Sequence, residues 1–281
     1  MPFRMPIFGV SQRAGAGLLA GWLALAASPA PLRADAAEDA AGKGNKAYSE
    51  ANYDQAIAQY SEAIRLNPND GISYATRGLA YFRKRDFDKA IADFNDFIRL
   101  SPDSPDGYIY RGDAYGRKRD YDHAIADYTV ALRITPEAFE AYFKRALAYE
   151  NSGDHKKALS DCARAIEIQP SFANGYNEIA WILATCPTDS IRNGSKAVKY
   201  ATKASTLTQW KIPATIDTLA AANAEAGNFD EAVKWEKQFL TSRPPKKIAA
   251  AANQRLSLYE QKQPYRDEKK AAPAAPTASA R

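Results

Sequence analysis

The sequence predicts an all-α solenoid of about six helix pairs with a C-terminal capping helix, and three observations carry that reading. First, a unit of thirty-four residues recurs: Ala56, Ala90, Ala124 and Ala158 stand at that spacing, inside the phrases DQAIAQY, DKAIADF, DHAIADY and KKALSDC. Second, each unit holds two apolar stripes of helical period. Tyr74, Gly78, Tyr81 and Phe82 lie at i, i+4, i+7 and i+8, and Ala90, Ile91, Phe94, Phe97 and Ile98 form the next stripe. Third, Pro68, Pro102, Pro136 and Pro170 keep the same period and stand where each second helix must stop, because proline cannot extend the hydrogen-bond ladder. A fixed period of this length is the sequence signature of stacked repeats.

Taken in order, the chain of 281 residues opens with an address rather than a repeat. Arg4 and Arg13 precede an apolar stretch from Ala14 to Ala27, too short to span a bilayer comfortably but of the length of a secretory core, and Ala34-Asp35-Ala36 offers a small-residue cleavage site. Residues 1–34 are therefore expected to be a signal peptide, with cleavage after Ala34 as a close competitor. An uncleaved membrane anchor is the alternative. Export places the mature chain in a periplasm or outside the cell.

Four regular repeats are expected over residues 37–170. Gly44, Gly78 and Gly112 with Ala146 are the small residues at which two helices cross, and the polar turns RKRDFD and RKRDYD each supply an Asp to cap the helix that follows. A large side chain at Ala90 should overpack that crossing by about 1–3 kcal/mol. Residues 171–244 read as two divergent pairs: Ala197 follows Ala158 by 39 residues, so one turn has grown by five, and Ala232 follows 35 residues later. Residues 245–262 form one more helix, with Ile248, Ala252, Leu256 and Tyr259 on a single stripe, expected to cover the last repeat's open core. From Gln263 to residue 281 Pro and Ala dominate, and disorder is expected.

The repeat pattern resembles the tetratricopeptide repeat family. With Ala37, Gly71, Pro105 and Phe139 as first positions, the family's aromatic-4, small-8, aromatic-11, Ala-20, aromatic-24, Ala-27 and Pro-32 are largely filled. Ala40 and Ala47 depart from it, as do Phe97 at an alanine position and Cys162 at an aromatic one. The long-turn pair and the pair after it resemble the C-terminal end of bacterial exported members. The resemblance implies a right-handed solenoid whose first helices line a concave groove that takes an extended peptide or a partner helix.

The inward positions of those helices hold Asn45, Tyr48, Ile72, Ala75, Leu79, Phe82, Arg83, Ile109, Asp113, Arg117, Phe143, Leu147 and Glu150. Apolar residues flanked by charges suit one amphipathic segment. For Leu79, Phe82, Phe143 and Leu147, packing between neighbouring repeats is the competing role. The chaperone-tail clamp of the family fails residue by residue: of Ala41, Asn45, Thr76, Asp106 and Tyr110 only Asn45 fits, and Asp106 repels a carboxylate. Arg77, Arg111 and Arg145 recur once per repeat, either as anion hooks or, as favoured here, with stems over apolar surface and heads in water.

Composition excludes several functions. The net charge of +5 owes three charges to the leader, and from Asp35 onward 35 Lys+Arg face 33 Asp+Glu, a balance of +2 that no polyanion binder needs. Nucleic acid is therefore not an expected partner. Two histidines and two cysteines leave no metal site, and no cofactor is expected. Cys162 and Cys186 lie on antiparallel neighbours on the order of 12 Å apart by helical rise, too far for a disulfide. His123 and His155 lack nucleophile partners, so no catalytic constellation is expected. The resulting expectation is a non-catalytic scaffold or assembly factor that holds a protein or peptide in its groove. A cell-envelope glycan or peptidoglycan binder is the alternative, with Tyr48 and Phe82 stacking on sugars and Asn45 and Asp113 hydrogen-bonding them. Self-association through the convex face or the turn at 187–194 stays open.

Overall fold

A computed structural model describes residues 30–267, which form thirteen α-helices. They run α1 (Ala30–Ser49), α2 (Tyr53–Leu66), α3 (Gly71–Arg83), α4 (Phe87–Leu100), α5 (Pro105–Arg117), α6 (Tyr121–Ile134) and α7 (Phe139–Ser152). There follow α8 (His155–Ile168), α9 (Ala173–Thr185), α10 (Gly194–Leu207), α11 (Pro213–Glu225), α12 (Phe229–Thr241) and α13 (Lys246–Glu260). Each odd-numbered helix packs on the next as an antiparallel hairpin, and each even-numbered helix packs on the hairpin after it. The expected six pairs and final helix are all present.

The local chemistry of each turn explains the helix starts. The side chains of Asn52, Asp86, Asp120 and Asp154 accept hydrogen bonds from the amides of Gln55, Lys89, His123 and Lys157, a cap worth about 1 kcal/mol each. The residue before each cap is left-handed: Ala51, Arg85 and Arg119 have φ of 58°, 66° and 65°, and in the fourth repeat Gly153 takes the position at no steric cost. Lys84 and Lys118, in the basic turns, reach back one repeat to Asp54 and Asp88.

Inside the first four hairpins one pair of positions sets the helix spacing. A Cβ on Gly44, Gly78 or Gly112 would lie 2.6, 2.6 or 2.9 Å from the ring of Tyr60, Phe94 or Tyr128. The fourth repeat has a small Cys162 where the others have a ring, and there the glycine becomes Ala146; both are fully buried. The departure at Cys162 is thus half of a compensated pair. Both cysteines are free and buried.

The divergent pairs pack differently. The lengthened turn holds a single 3-10 turn at Asp189–Ile191, and the chain enters α10 through Gly194, whose Cβ would sit 2.4 Å from the backbone nitrogen of Ala226. Here α9 and α11 pack broadly on each other, whereas the first helices of the regular repeats only touch their successors. Trp210 and Trp235 stack at 5.3 Å between ring centroids. In α13, Ala252 and Tyr259 are buried as expected, but Ile248 is exposed and Arg255 is buried in its stead.

Two boundaries differ from the sequence reading. Helix α1 begins at Ala30, upstream of the anticipated cleavage point, while most of the expected signal segment lies outside the described residues. The expected disorder from Gln263 is corrected over its first five residues: 263–267 leave α13 and pack back onto α9, held by the contacts detailed below. The remainder of that segment lies outside the described residues. Among the described residues no helix is long and apolar enough to cross a membrane.

Candidate partner groove

Successive first helices approach one another more closely than successive second helices do, so the stack bends toward the face carrying α1, α3, α5, α7, α9 and α11. The predicted groove residues sit on the first four of these. They separate into two groups.

One group faces out. Ile72 is 71% exposed, a large apolar side chain left in water. Arg83 is exposed and donates to the Tyr48 hydroxyl at 3.1 Å, joining α3 to α1. Arg117 stands over the Phe82 ring at 5.9 Å, joining α5 to α3. Glu150 and Leu147 line a cavity described below.

The other group serves the stack. Leu79 packs with Phe94 and Ala114, Ile109 with Tyr128 and Ala148, and Phe143 meets Phe172 edge-on at 4.9 Å. Ala75 is buried. Asn45 accepts from the Tyr60 hydroxyl at 2.9 Å, and Asp113 accepts from Tyr128 at 2.7 Å and from Lys144 at 2.6 Å. Where the facing aromatic is Phe94 or the residue is Cys162, the same position is Leu79 or Leu147. The polar members of the row thus answer a buried tyrosine hydroxyl, as buried polar groups require.

The arginine ladder is structural, as favoured, but its heads are not in water. Arg77, Arg111 and Arg145 grip Asp93, Asp127 and Asp161 with two hydrogen bonds each, at 2.7–2.9 Å. A third nitrogen reaches the preceding repeat at Ser61, Asn95 or Thr129. The planar guanidinium fork bonds three helices at once, which a lysine cannot do. The aspartates were legible as a recurrence sixteen residues after each arginine.

A cavity on the concave face joins the end of the predicted row to the repeat after it. Its volume of about 360 Å³ is lined by Leu147 and Glu150 of α7, Asn177, Glu178 and Trp181 of α9, Ala214, Asp217 and Thr218 of α11, and Asp267. Four of these nine side chains are carboxylic acids and none is basic, and the buried Oδ1 of Asn177 has no hydrogen-bond partner. Asn177 and Trp181 are the fifth and ninth residues counted from Ala173, the same positions that define the predicted row. Extending the count by one repeat reaches them. Asp267 carried no such signal.

Behind this cavity is a buried ionic cluster. Arg255 Nη2 holds Asp217 Oδ1 at 2.5 Å and lies 3.2 Å from Glu236 Oε1, without the alignment of a hydrogen bond. Glu236 is fully buried. Burial, reinforced by the neighbouring Asp217 charge, pushes its carboxyl up to about 8, so it carries a proton at neutral pH. Burial likewise pushes the Tyr259 phenol beside it well above its ordinary range. Among the described residues no three His, Cys, Asp or Glu side chains are grouped to hold a metal ion.

A family model for the tetratricopeptide repeat matches residues 41–105 and 111–171. Those residues carry tetratricopeptide repeats. Among solved structures it is similar to MamA, at 25% identity over 63% of this chain and 94% of that one, with a TM-score of 0.56. A tetratricopeptide repeat protein from Parabacteroides merdae shares the fold at a TM-score of 0.67, with 16% identity over 81% and 88% of the two chains. YrrB, described as a tetratricopeptide repeat protein with an unusual peptide-binding site, shares it at 0.54, with 17% identity over 69% and 97%.

Proposed function

We propose that this protein is a non-catalytic scaffold that holds an extended segment of a partner protein along its concave face. The observation that carries this reading is the division within the predicted row. Stack contacts use up Leu79, Ile109, Phe143, Asn45 and Asp113, yet Ile72, Arg83 and Arg117 remain presented on the same face, and the row ends in an open cavity. An exposed apolar side chain at the start of α3, with two cations about 16 Å away at the helix's other end, suits an extended peptide with an apolar anchor and a separate acidic stretch. A glycan reading is weaker, because the hydrogen-bonding residues it needs, Asn45 and Asp113, are already engaged by tyrosine hydroxyls. The export signal read at 1–34 would put this scaffold in the cell envelope. Mass analysis of the mature chain checks that point, with a start at Asp35 or Ala37 expected.

The groove is tested by selecting peptides from a random library on the full chain and measuring them against Ile72→Glu/Arg117→Glu. Both positions are exposed, so this variant keeps its helices. Selected peptides should lose at least tenfold in affinity, and peptides that bind both proteins equally contradict the reading.

A further inference from the structure

We infer that the concave face of α9, between Trp181 and Thr185, recognises an extended segment bearing an aromatic residue and, two positions on, a carboxylate, and that Tyr265–Asp267 is its resident occupant. This inference deepens the scaffold reading and rests on it. The chain itself shows what fits. Asp267 Oδ2 accepts from Trp181 Nε1 at 2.9 Å and lies 2.7 Å from the Thr185 hydroxyl, while the Asp267 amide donates to the Thr185 carbonyl at 2.9 Å. Tyr265 tilts against the Trp181 ring at 6.2 Å, and its hydroxyl donates to Asp267 Oδ1 at 3.1 Å. Between them, Arg266 pairs with Glu225 at 2.6 Å. One main-chain bond with flanking side-chain contacts is how an extended peptide is read by a fixed surface.

The same geometry makes the seat reversible. The Thr185 hydroxyl has a single proton and stands between Asp267 and the Trp181 carbonyl, 2.9 Å away within its own helix. With the segment gone, that proton returns to the carbonyl, and the Trp181 Nε1–H, which lines the cavity, turns to water. The Thr185 carbonyl closes α9 and has no helical donor, so it is open to any incoming amide. Asp267 is held by neutral donors only, Trp181 Nε1 and the Thr185 and Tyr265 hydroxyls, and the nearby Arg255 guanidinium, over the Trp181 and Tyr265 rings, is already engaged by Asp217. The resident segment therefore owes its place largely to being tethered, since a short tether supplies an effective concentration on the order of millimolar. A partner segment with the same two side chains takes its place when it brings further contacts along the groove.

The test uses the full chain and its Tyr265→Ala/Asp267→Ala variant. Both changes fall after the last helix, and circular dichroism verifies the fold. A fluorescent synthetic peptide of residues 261–267, amidated at its end, is titrated by anisotropy. The variant should bind it at least tenfold more tightly than the unchanged chain. A peptide carrying Asp267→Asn, or a variant chain also carrying Thr185→Val, should lose that binding. Equal binding by both chains, or none by the variant, overturns the inference. If library peptides then still depend on Ile72 and Arg117, the groove reading stands and only this site falls.

Discussion

The regular repeats and the C-terminal third solve the same packing problem with different chemistry. In residues 37–170 three hairpins are spaced by a glycine against a ring and the fourth by Ala146 against Cys162, and each junction is tied by an arginine that satisfies a buried aspartate and a hydroxyl or amide of the previous repeat. In 173–267 the spacing depends on backbone against backbone at Gly194. The ionic cluster is a single buried group of two acids and one arginine, with both Glu236 oxygens, Arg255 Nε and the Tyr259 hydroxyl lacking hydrogen bonds. The first region is built for uniform stacking. The second tolerates imperfect satisfaction, and it is also where the concave face holds a cavity and where the chain folds back on itself. Polar frustration beside a site is a common companion of function.

The sharpest way to break this contrast is Gly194→Ala. Its Cβ meets backbone that cannot move without parting α10 from α11, so a loss of more than about 3 kcal/mol is expected by urea denaturation. Gly78→Ala meets the edge of a phenylalanine ring that can turn, and should cost about 1–3 kcal/mol. Equal costs would remove the distinction between the two spacings.

Next in size is Asp127→Ala, which leaves Arg111 half-buried without its partner. A loss of about 3 kcal/mol is expected in the same assay, with Asp127→Asn recovering part of it.

The C-terminal cluster should respond to pH instead. Glu236 is a group whose folded pKa, about 8, lies above its unfolded value, so its stabilising proton is fully present below about 4.5 and lost as pH rises through 8. The groups facing it are Asp217, Arg255 and Tyr259. The melting temperature should fall across that window by an amount worth on the order of 3 kcal/mol, and Glu236→Gln should flatten the profile. A variant with the same slope as the unchanged protein would assign the dependence elsewhere.

The smallest effect concerns the turns. Arg119 occupies a left-handed position that Gly153 fills in the next repeat, so Arg119→Gly should leave stability unchanged or raise it by about 0.5–1 kcal/mol in thermal melts.

The helices and their order were legible because stacking forces the same small and aromatic residues back to the same positions every turn of the repeat. Caps were legible for the same reason, as Asp before a helical stripe. The groove row was legible as positions but not as roles. Asn45 and Asp113 look like open hydrogen-bonding groups until the tyrosines at 60 and 128 are seen to face them, and Leu79 differs from Ile72 only in what stands opposite. Residues 263–267 were not legible at all. Their composition promises no core, and their order comes from a tryptophan and a threonine more than eighty residues away.

The central claim is that the concave row of first helices, and not the outer row, is the binding surface. Hydrogen–deuterium exchange of the full chain with and without a library-selected peptide tests it most directly. Added protection in α3, α5, α7 and α9, with α4, α6 and α8 unchanged, is the result this account predicts. Protection confined to the second helices, α4, α6 and α8, would contradict it.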